Sequence, residues 1–125
     1  MEMEISRQQA VTLLLAIWRG IPADYKSKYR MNIWEQFQNQ IVSAAYTSNL
    51  GKFVNSLCYS LNADIGQNAK ERQLAEAILN SGQDAALLKL LQEETALIVL
   101  MVRVEMQERR AEFEAEYLGK ENEDV

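Results

Sequence analysis

Apolar residues recur at helical spacing along most of the chain. After Asn32 they return every three or four residues, at Ile33, Trp34, Phe37, Ile41, Ala44 and Ala45. Because an α-helix turns once every 3.6 residues, this spacing places their side chains on one face. Residues 50–61 repeat the pattern, and no segment needs to be a strand. The pattern predicts an all-α fold, a single-domain bundle of about five helices over residues 1–118 with a long C-terminal helix.

Polar residues that can cap helix N-termini precede the apolar segments. The cap pairs are Ser6 with Gln9, Asn32 with Glu35, and Asn68 with Glu71. In each pair the first side chain can accept a hydrogen bond from the third helical N–H, while the second reaches back. The first helix is therefore predicted to begin at Ser6 and to end at Gly20. Pro22 could then open a short helix that runs to Arg30.

The last segment contains no glycine or proline between Gln83 and Leu118. It could form one helix of about 50 Å, at 1.5 Å per residue, or two helices with a kink. We favour one long helix. Residues 96–102 are apolar on every side, which predicts a position at the centre of the core. Residues 119–125 are predicted to form a frayed acidic tail.

Length and composition fit one domain that carries out no chemistry. The chain has 125 residues, of which 48% are hydrophobic and none is histidine. Histidine is the usual proton carrier at neutral pH and the usual neutral zinc ligand, so Ser–His and Cys–His nucleophiles and most zinc sites are excluded. The five glycines are far apart in the sequence, so no glycine-rich loop can cradle a phosphate. We expect no enzymatic activity, no catalytic residue, no metal and no cofactor.

The single cysteine and the short apolar runs bear on where the protein works. Cys58 has no possible internal disulfide partner, and a lone cysteine suits a reducing compartment. We interpret it as a small buried hydrophobe. The apolar runs at residues 11–18 and 96–102 are much shorter than the ~20 residues of a membrane span, and residues 1–5 are acidic. We expect a cytoplasmic protein that does not contact a membrane.

Charge is distributed unevenly. Residues 1–62 carry six Lys/Arg against four Asp/Glu, and residues 63–125 carry seven against fourteen, for a net charge of −5. Four glutamates near the end fall within about 80° on a helical wheel: Glu105, Glu108, Glu112 and Glu116. Without a histidine beside them, they indicate solvated charge rather than a metal site.

The same C-terminal segment has apolar residues on two flanks. Met106, Phe113 and Tyr117 form one flank, and the other contains Val104, Ala111, Ala115 and Leu118. Two apolar flanks predict two packing partners. Either both lie within this domain or one belongs to another chain.

Residues 25–30 and the nearby Arg19 are the densest cationic stretch, and tyrosines interrupt it. Lysine and arginine can neutralise phosphates without reading base sequence, and a tyrosine ring can stack on an unpaired base. The alternative is a solvated turn whose tyrosines pack on the core. We predict a nucleic-acid-binding site that the fold could extend with Lys52 and Arg72; its phosphate contacts come from Arg19, Lys26, Lys28 and Arg30, and Tyr25 or Tyr29 stacks.

These features together resemble the small subunits of CRISPR effector complexes of the Cascade type. More narrowly, residues 14–22 and 33–37 look like the C-terminal helical region of the type I-D large subunit. In that system the region is also made separately from an internal start codon, an origin that residues 1–5 would suit. The acidic C-terminal helix departs from the basic character expected of a small subunit.

The resemblance implies a non-catalytic small subunit of an RNA-guided surveillance complex in antiviral defence. Its partners would be the large subunit, the backbone subunits, another copy of itself, and the guide RNA and target nucleic-acid backbone. It would bridge the backbone and large subunits and stabilise the target and displaced strands by phosphate contacts. The alternative is an acidic helical adaptor or inhibitor, of phage or plasmid type, that binds protein through residues 105–125 and does not contact nucleic acid.

Overall fold

The computed structural model describes residues 2–28 and 32–108. Within them the chain forms seven α-helices and one 3₁₀ helix, and no strand, so the predicted all-α single-domain bundle is confirmed. In chain order these are α1 (Glu2–Gly20), α2 (Ala23–Lys28), α3 (Ile33–Ala44), α4 (Leu50–Leu61), the 3₁₀ helix (Ile65–Gln67), α5 (Ala69–Leu79), α6 (Asp84–Glu93) and α7 (Thr95–Glu108).

Helix α1 lies at the centre of the bundle. It packs against α4, α5, α6, α7 and the 3₁₀ helix. Its apolar run is buried almost without interruption, at Val11, Leu13, Leu14, Leu15, Ala16, Ile17 and Trp18. A helix that is apolar all round is stable only when neighbours cover every side, which is how α1 is placed.

Helices α3 and α4 form an adjacent pair that closes one side of the core. Phe37 and Ile41 of α3 and Phe53 and Leu57 of α4 are fully buried. The Asn49 side chain caps α4 by accepting a hydrogen bond of 2.8 Å from the Lys52 N–H. At the other end of α4, Asn62 takes the left-handed conformation, with φ of 57°. Asn49 thus marks the start of α4 and Asn62 marks its end, positions that asparagine commonly occupies.

The predicted start of the first helix is wrong. Helix α1 begins at Glu2, and Ser6 lies inside it as a buried residue. No glycine or proline precedes Ser6, so nothing in the chain stops the helix from extending toward the N-terminus. The predicted end at Gly20 is confirmed.

The predicted single long C-terminal helix is also wrong. The helix is interrupted at Glu94, which separates α6 from α7. The Thr95 hydroxyl donates to the Leu91 carbonyl, and such back-bonding bends helices. Arg7 of α1 holds the Glu94 carboxylate at 2.7 Å. A straight helix over residues 84–108 would reach about 38 Å and overshoot α1 at about 28 Å, whereas the break lets both halves pack on α1.

Residues 96–102 are not central to the core as predicted. Ile98, Val99 and Val102 are buried, but Leu97 and Leu100 are exposed. Helix α7 packs against α1, α3 and α6, and Leu97 and Leu100 lie on the side of α7 that faces away from the buried Ile98 and Val102. Within the described ranges, no helix is both long and apolar enough to cross a membrane.

Candidate nucleic-acid and protein interfaces

Arg19 lies in the last turn of α1 and is engaged inside the protein. Its guanidinium forms an ion pair with the Glu71 carboxylate, and both side chains are less than a tenth exposed. Glu71 is held in the first turn of α5, where its N–H donates to the Asn68 side chain at 3.1 Å. The predicted Asn68 cap is confirmed, but the Glu71 carboxylate meets Arg19. The Arg19 charge is therefore neutralised internally.

Lys26 is also buried, although the sequence predicts a phosphate ligand. Its Nζ lies 4.7 Å above the centre of the Trp18 ring. Trp18 stacks on Trp34 with ring centroids 4.2 Å apart, and Phe37 meets Trp18 edge-on. A cation over a tryptophan face is attracted to the electron-rich ring. This contact fixes the short helix α2 on the aromatic part of the core.

Tyr25 agrees with the alternative interpretation of the basic stretch, in which its ring packs on the core. The ring is half-buried against the hydrophobic cluster. Its hydroxyl donates to the Ser60 carbonyl at 3.4 Å, which ties α2 to the end of α4. Lys28 closes α2, but its side chain, like Tyr29 and Arg30, lies outside the described residues.

Arg72 and Lys52 are the candidate cations whose side chains are exposed. Arg72 follows Glu71 in the first turn of α5, and Glu71 meets the end of α1 through Arg19. Lys52 lies in the first turn of α4, about 12 Å along the helix from Ser60. The part of the site that the structure describes is therefore not one cationic ridge: two cations are buried, and two exposed ones lie on different helices.

A second surface runs along the outer side of α7. Leu97, Leu100 and Val104 are 43%, 56% and 45% exposed. At 100° per residue they fall within an arc of about 60°, opposite the buried Ile98 and Val102. We call these three residues the outer face of α7.

The two apolar flanks predicted for this segment are thus treated differently by the fold. Met106 is half-buried against the core, whereas Val104 is exposed. Phe113, Tyr117, Ala111, Ala115 and Leu118 lie outside the described residues. Sequence reasoning missed Leu97 and Leu100 because it assigned them to the core, although Leu97 and Val104 stand one heptad apart, a signal that could have found them.

Opposite charges border the outer face. Arg103 stands on one side, with its guanidinium carbon 5.6 Å from the centre of the Trp34 ring. Glu108 stands on the other side, and both side chains are exposed. Of the predicted acidic stripe, Glu105 is half-buried, while Glu112 and Glu116 lie outside the described residues.

Cys58 lines a shallow depression between α2 and α4 and is half-buried rather than fully buried. Burial raises the pKa of the Cys58 thiol, and the negative charge of Asp64 raises it further. A raised pKa keeps the thiol protonated at neutral pH, which is unlike a reactive cysteine.

The remaining described residues offer no metal site, since no three of their Cys, Asp and Glu side chains are grouped to hold an ion. The described surface includes an apolar strip on α7 and a few separate cations. Comparisons with models of known protein families, with curated proteins and with solved structures find no match for this chain.

Proposed function

We propose that this chain is a non-catalytic small subunit of an RNA-guided CRISPR effector complex of the Cascade type, in which it bridges backbone and large subunits. The observation that carries the proposal is the outer face of α7. Scattered exposed apolar residues are ordinary, but large ones aligned on one side of a helix offer a surface that another protein can cover. The sequence resemblance supplies the class of assembly.

Contact with the target and displaced strands comes, in this proposal, from Arg72 and from the basic residues that follow α2. Arg19 and Lys26 act indirectly, because their internal contacts fix α5 and α2 where those cations are carried. A few phosphate contacts give weak affinity on their own. Tethering to a larger particle raises the effective concentration of the strand and makes such contacts sufficient.

Reconstitution tests the assembly role. The chain is expressed with the large and backbone subunits and guide RNA of the CRISPR complex from the same genome, and incorporation is measured by native mass spectrometry. We expect Leu100→Asp to abolish incorporation, because it places a charge in the outer face. Leu74→Asp is the matched control, since Leu74 is 41% exposed on α5. A wild-type chain that stays apart from these subunits contradicts the proposal.

Charge reversal tests the strand contact in the assembled particle. We expect Arg72→Glu and Lys28→Glu each to weaken target binding and to lower the salt slope by about one unit, as the loss of one phosphate contact does. Lys89→Glu, on the exposed side of α6, makes the same charge change and is expected to have no effect. Lys26 is not mutated in this test, because a carboxylate at that position would replace the cation over the Trp18 ring and disturb the fold.

A protein-binding adaptor without nucleic-acid contact is the second candidate. The burial of Arg19 and Lys26 favours it, because it removes two predicted phosphate ligands from the surface. Under this candidate, neither Arg72→Glu nor Lys28→Glu changes strand binding in the assembled particle. A chain that ends at Glu108 loses its partner under the adaptor hypothesis and keeps its strand contacts under the first.

A further inference from the structure

We infer that the outer face of α7 binds the same face of a second copy, with the two α7 helices parallel about a two-fold axis. The inference rests on the proposed function only in using the same surface, and it names the occupant. Three features of α7 carry it: the spacing of its exposed apolar residues, the positions of its bordering charges, and the size of the strip.

The apolar spacing is that of a coiled-coil seam. Leu97 and Val104 are seven residues apart, and Leu100 lies three after Leu97, so they occupy heptad positions a, d and a. The next d position is Gln107, which is polar. Two copies that meet along this seam bury the outer face of each.

The bordering charges select the parallel orientation. In the same heptad frame, Arg103 is at position g and Glu108 is at position e, five residues later. In a parallel pair, g of one helix faces the following e of its neighbour, so each Arg103 meets a Glu108 of the other copy. In an antiparallel pair, g faces g and e faces e, which brings like charges together. A second copy in parallel therefore complements the face in both apolarity and charge.

Arg103 and Glu108 cannot satisfy each other within one chain. Five residues correspond to about 140° around a helix, so the two side chains lie on different sides of α7. Neither forms an ion pair with another residue in the described ranges. In a parallel pair, Arg103 of each copy can therefore pair with Glu108 of the other copy.

The size of the strip sets the strength of the association. A standard stable interface takes roughly 800 Å² from each partner, more than three half-exposed side chains provide. Pairing is therefore weak and concentration-dependent for the free chain. It becomes effective inside an assembly that holds two copies side by side.

Sedimentation velocity of the full chain over rising concentration tests the pairing. We expect the wild type to shift from monomer to dimer up to about 1 mM, the range of a weak complex. Leu100→Asp should remain monomeric, and Leu74→Asp should match the wild type. A wild type that stays monomeric, or a Leu100→Asp variant that still dimerises, overturns the inference.

A charge exchange tests the orientation. Arg103→Glu and Glu108→Arg should each weaken dimerisation by about tenfold or more, as the loss of a close charge pair does. The double variant Arg103→Glu/Glu108→Arg should restore it, because the exchanged charges again face each other in a parallel pair. Lys89→Glu controls for net charge, and circular dichroism controls for folding. A double variant as weak as the single ones overturns the parallel arrangement.

The two proposals fail in different ways. A free chain that is monomeric, but whose Leu100→Asp variant no longer enters the reconstituted particle, overturns self-pairing and leaves the proposed function intact. A chain that forms the parallel dimer but never enters the particle overturns the proposed function and leaves self-pairing intact.

Discussion

At the residue scale, the buried pair of Arg19 and Glu71 contributes through mutual neutralisation. Both side chains are removed from water, so deleting one leaves an uncompensated buried charge. We expect Arg19→Met or Glu71→Leu to lower the free energy of unfolding by about 3–5 kcal/mol. The double variant should cost much less than the sum of the two. Urea denaturation of the three variants measures the coupling.

The ion pair of Arg7 and Glu94 provides the control for this comparison of single and double variants. Their ion pair also joins α1 to a distant helix, but the side chains are 30% and 22% exposed. Arg7→Met should cost about 1 kcal/mol or less, because water already screens the pair. Additive effects at Arg19 and Glu71, or equal costs for the two pairs, would contradict the importance assigned to burial.

Cys58 gives the stability a pH dependence of known sign. Its pKa is raised in the folded protein, so the native state holds the thiol proton more tightly than the unfolded chain. Below the ordinary value of 9.0 both states are protonated, and the contribution is complete. As the pH rises through 9.0 toward the raised value, the unfolded chain loses its proton first and stability falls.

We therefore expect the wild type to lose stability relative to Cys58→Ala as the pH is raised from about 8 to about 10. Urea denaturation of both proteins at each pH measures the difference, and the subtraction removes tyrosine and lysine titration. Parallel pH profiles for the two proteins would show that the thiol is not desolvated in solution.

At the element scale, the junction between α1 and the 3₁₀ helix depends on Gly20. A Cβ there would lie 3.0 Å from Asp64 C and Ile65 N, both backbone atoms. The Asp64 N–H also donates to the Gly20 carbonyl at 2.8 Å. Gly20→Ala should destabilise the protein by about 1–3 kcal/mol through overpacking, despite alanine's better helix propensity.

Thermal unfolding of Gly20→Ala beside Gly51→Ala measures this effect. A Cβ on Gly51 would meet only the Asn49 side-chain oxygen, at 3.2 Å, and a side chain can move more easily than backbone. We expect a clearly larger loss for Gly20→Ala. Equal melting temperatures would mean that the 3₁₀ helix does not approach α1 so closely.

At the scale of the whole molecule, α1 should be the slowest part of the protein to open. It packs against α4, α5, α6, α7 and the 3₁₀ helix, and Trp18 also contacts α3, so its amides exchange only when most of the bundle opens. Hydrogen exchange followed by mass spectrometry should show the strongest protection at residues 13–17. Helix α2 has six residues and should exchange much faster. Equal protection of the two would contradict a bundle built around α1.

The candidate site was predicted less well than the fold because a charged residue's role depends on its distant neighbours. Arg19 and Lys26 belong to a cationic stretch, from which the sequence pattern predicted an exposed nucleic-acid-binding surface. Glu71, however, lies 52 residues after Arg19 and meets it inside the protein. Lys26 contacts the Trp18 ring because α2 folds back against the end of α1. The residues that stay exposed, Arg72 and Lys52, were only the predicted extension of the site.

The sequence by itself determined the helical class, the cap residue Asn68 and the end of α1 at Gly20. These features depend on periodicity and on hydrogen bonds within about four residues, which the chain carries locally. Only the tertiary structure decided the break at Glu94, the fate of Arg19 and Lys26, and which side of α7 is left exposed. Each of these follows from contacts between distant segments, because burial is set by which helices the compact fold brings together and by how far each can extend along α1.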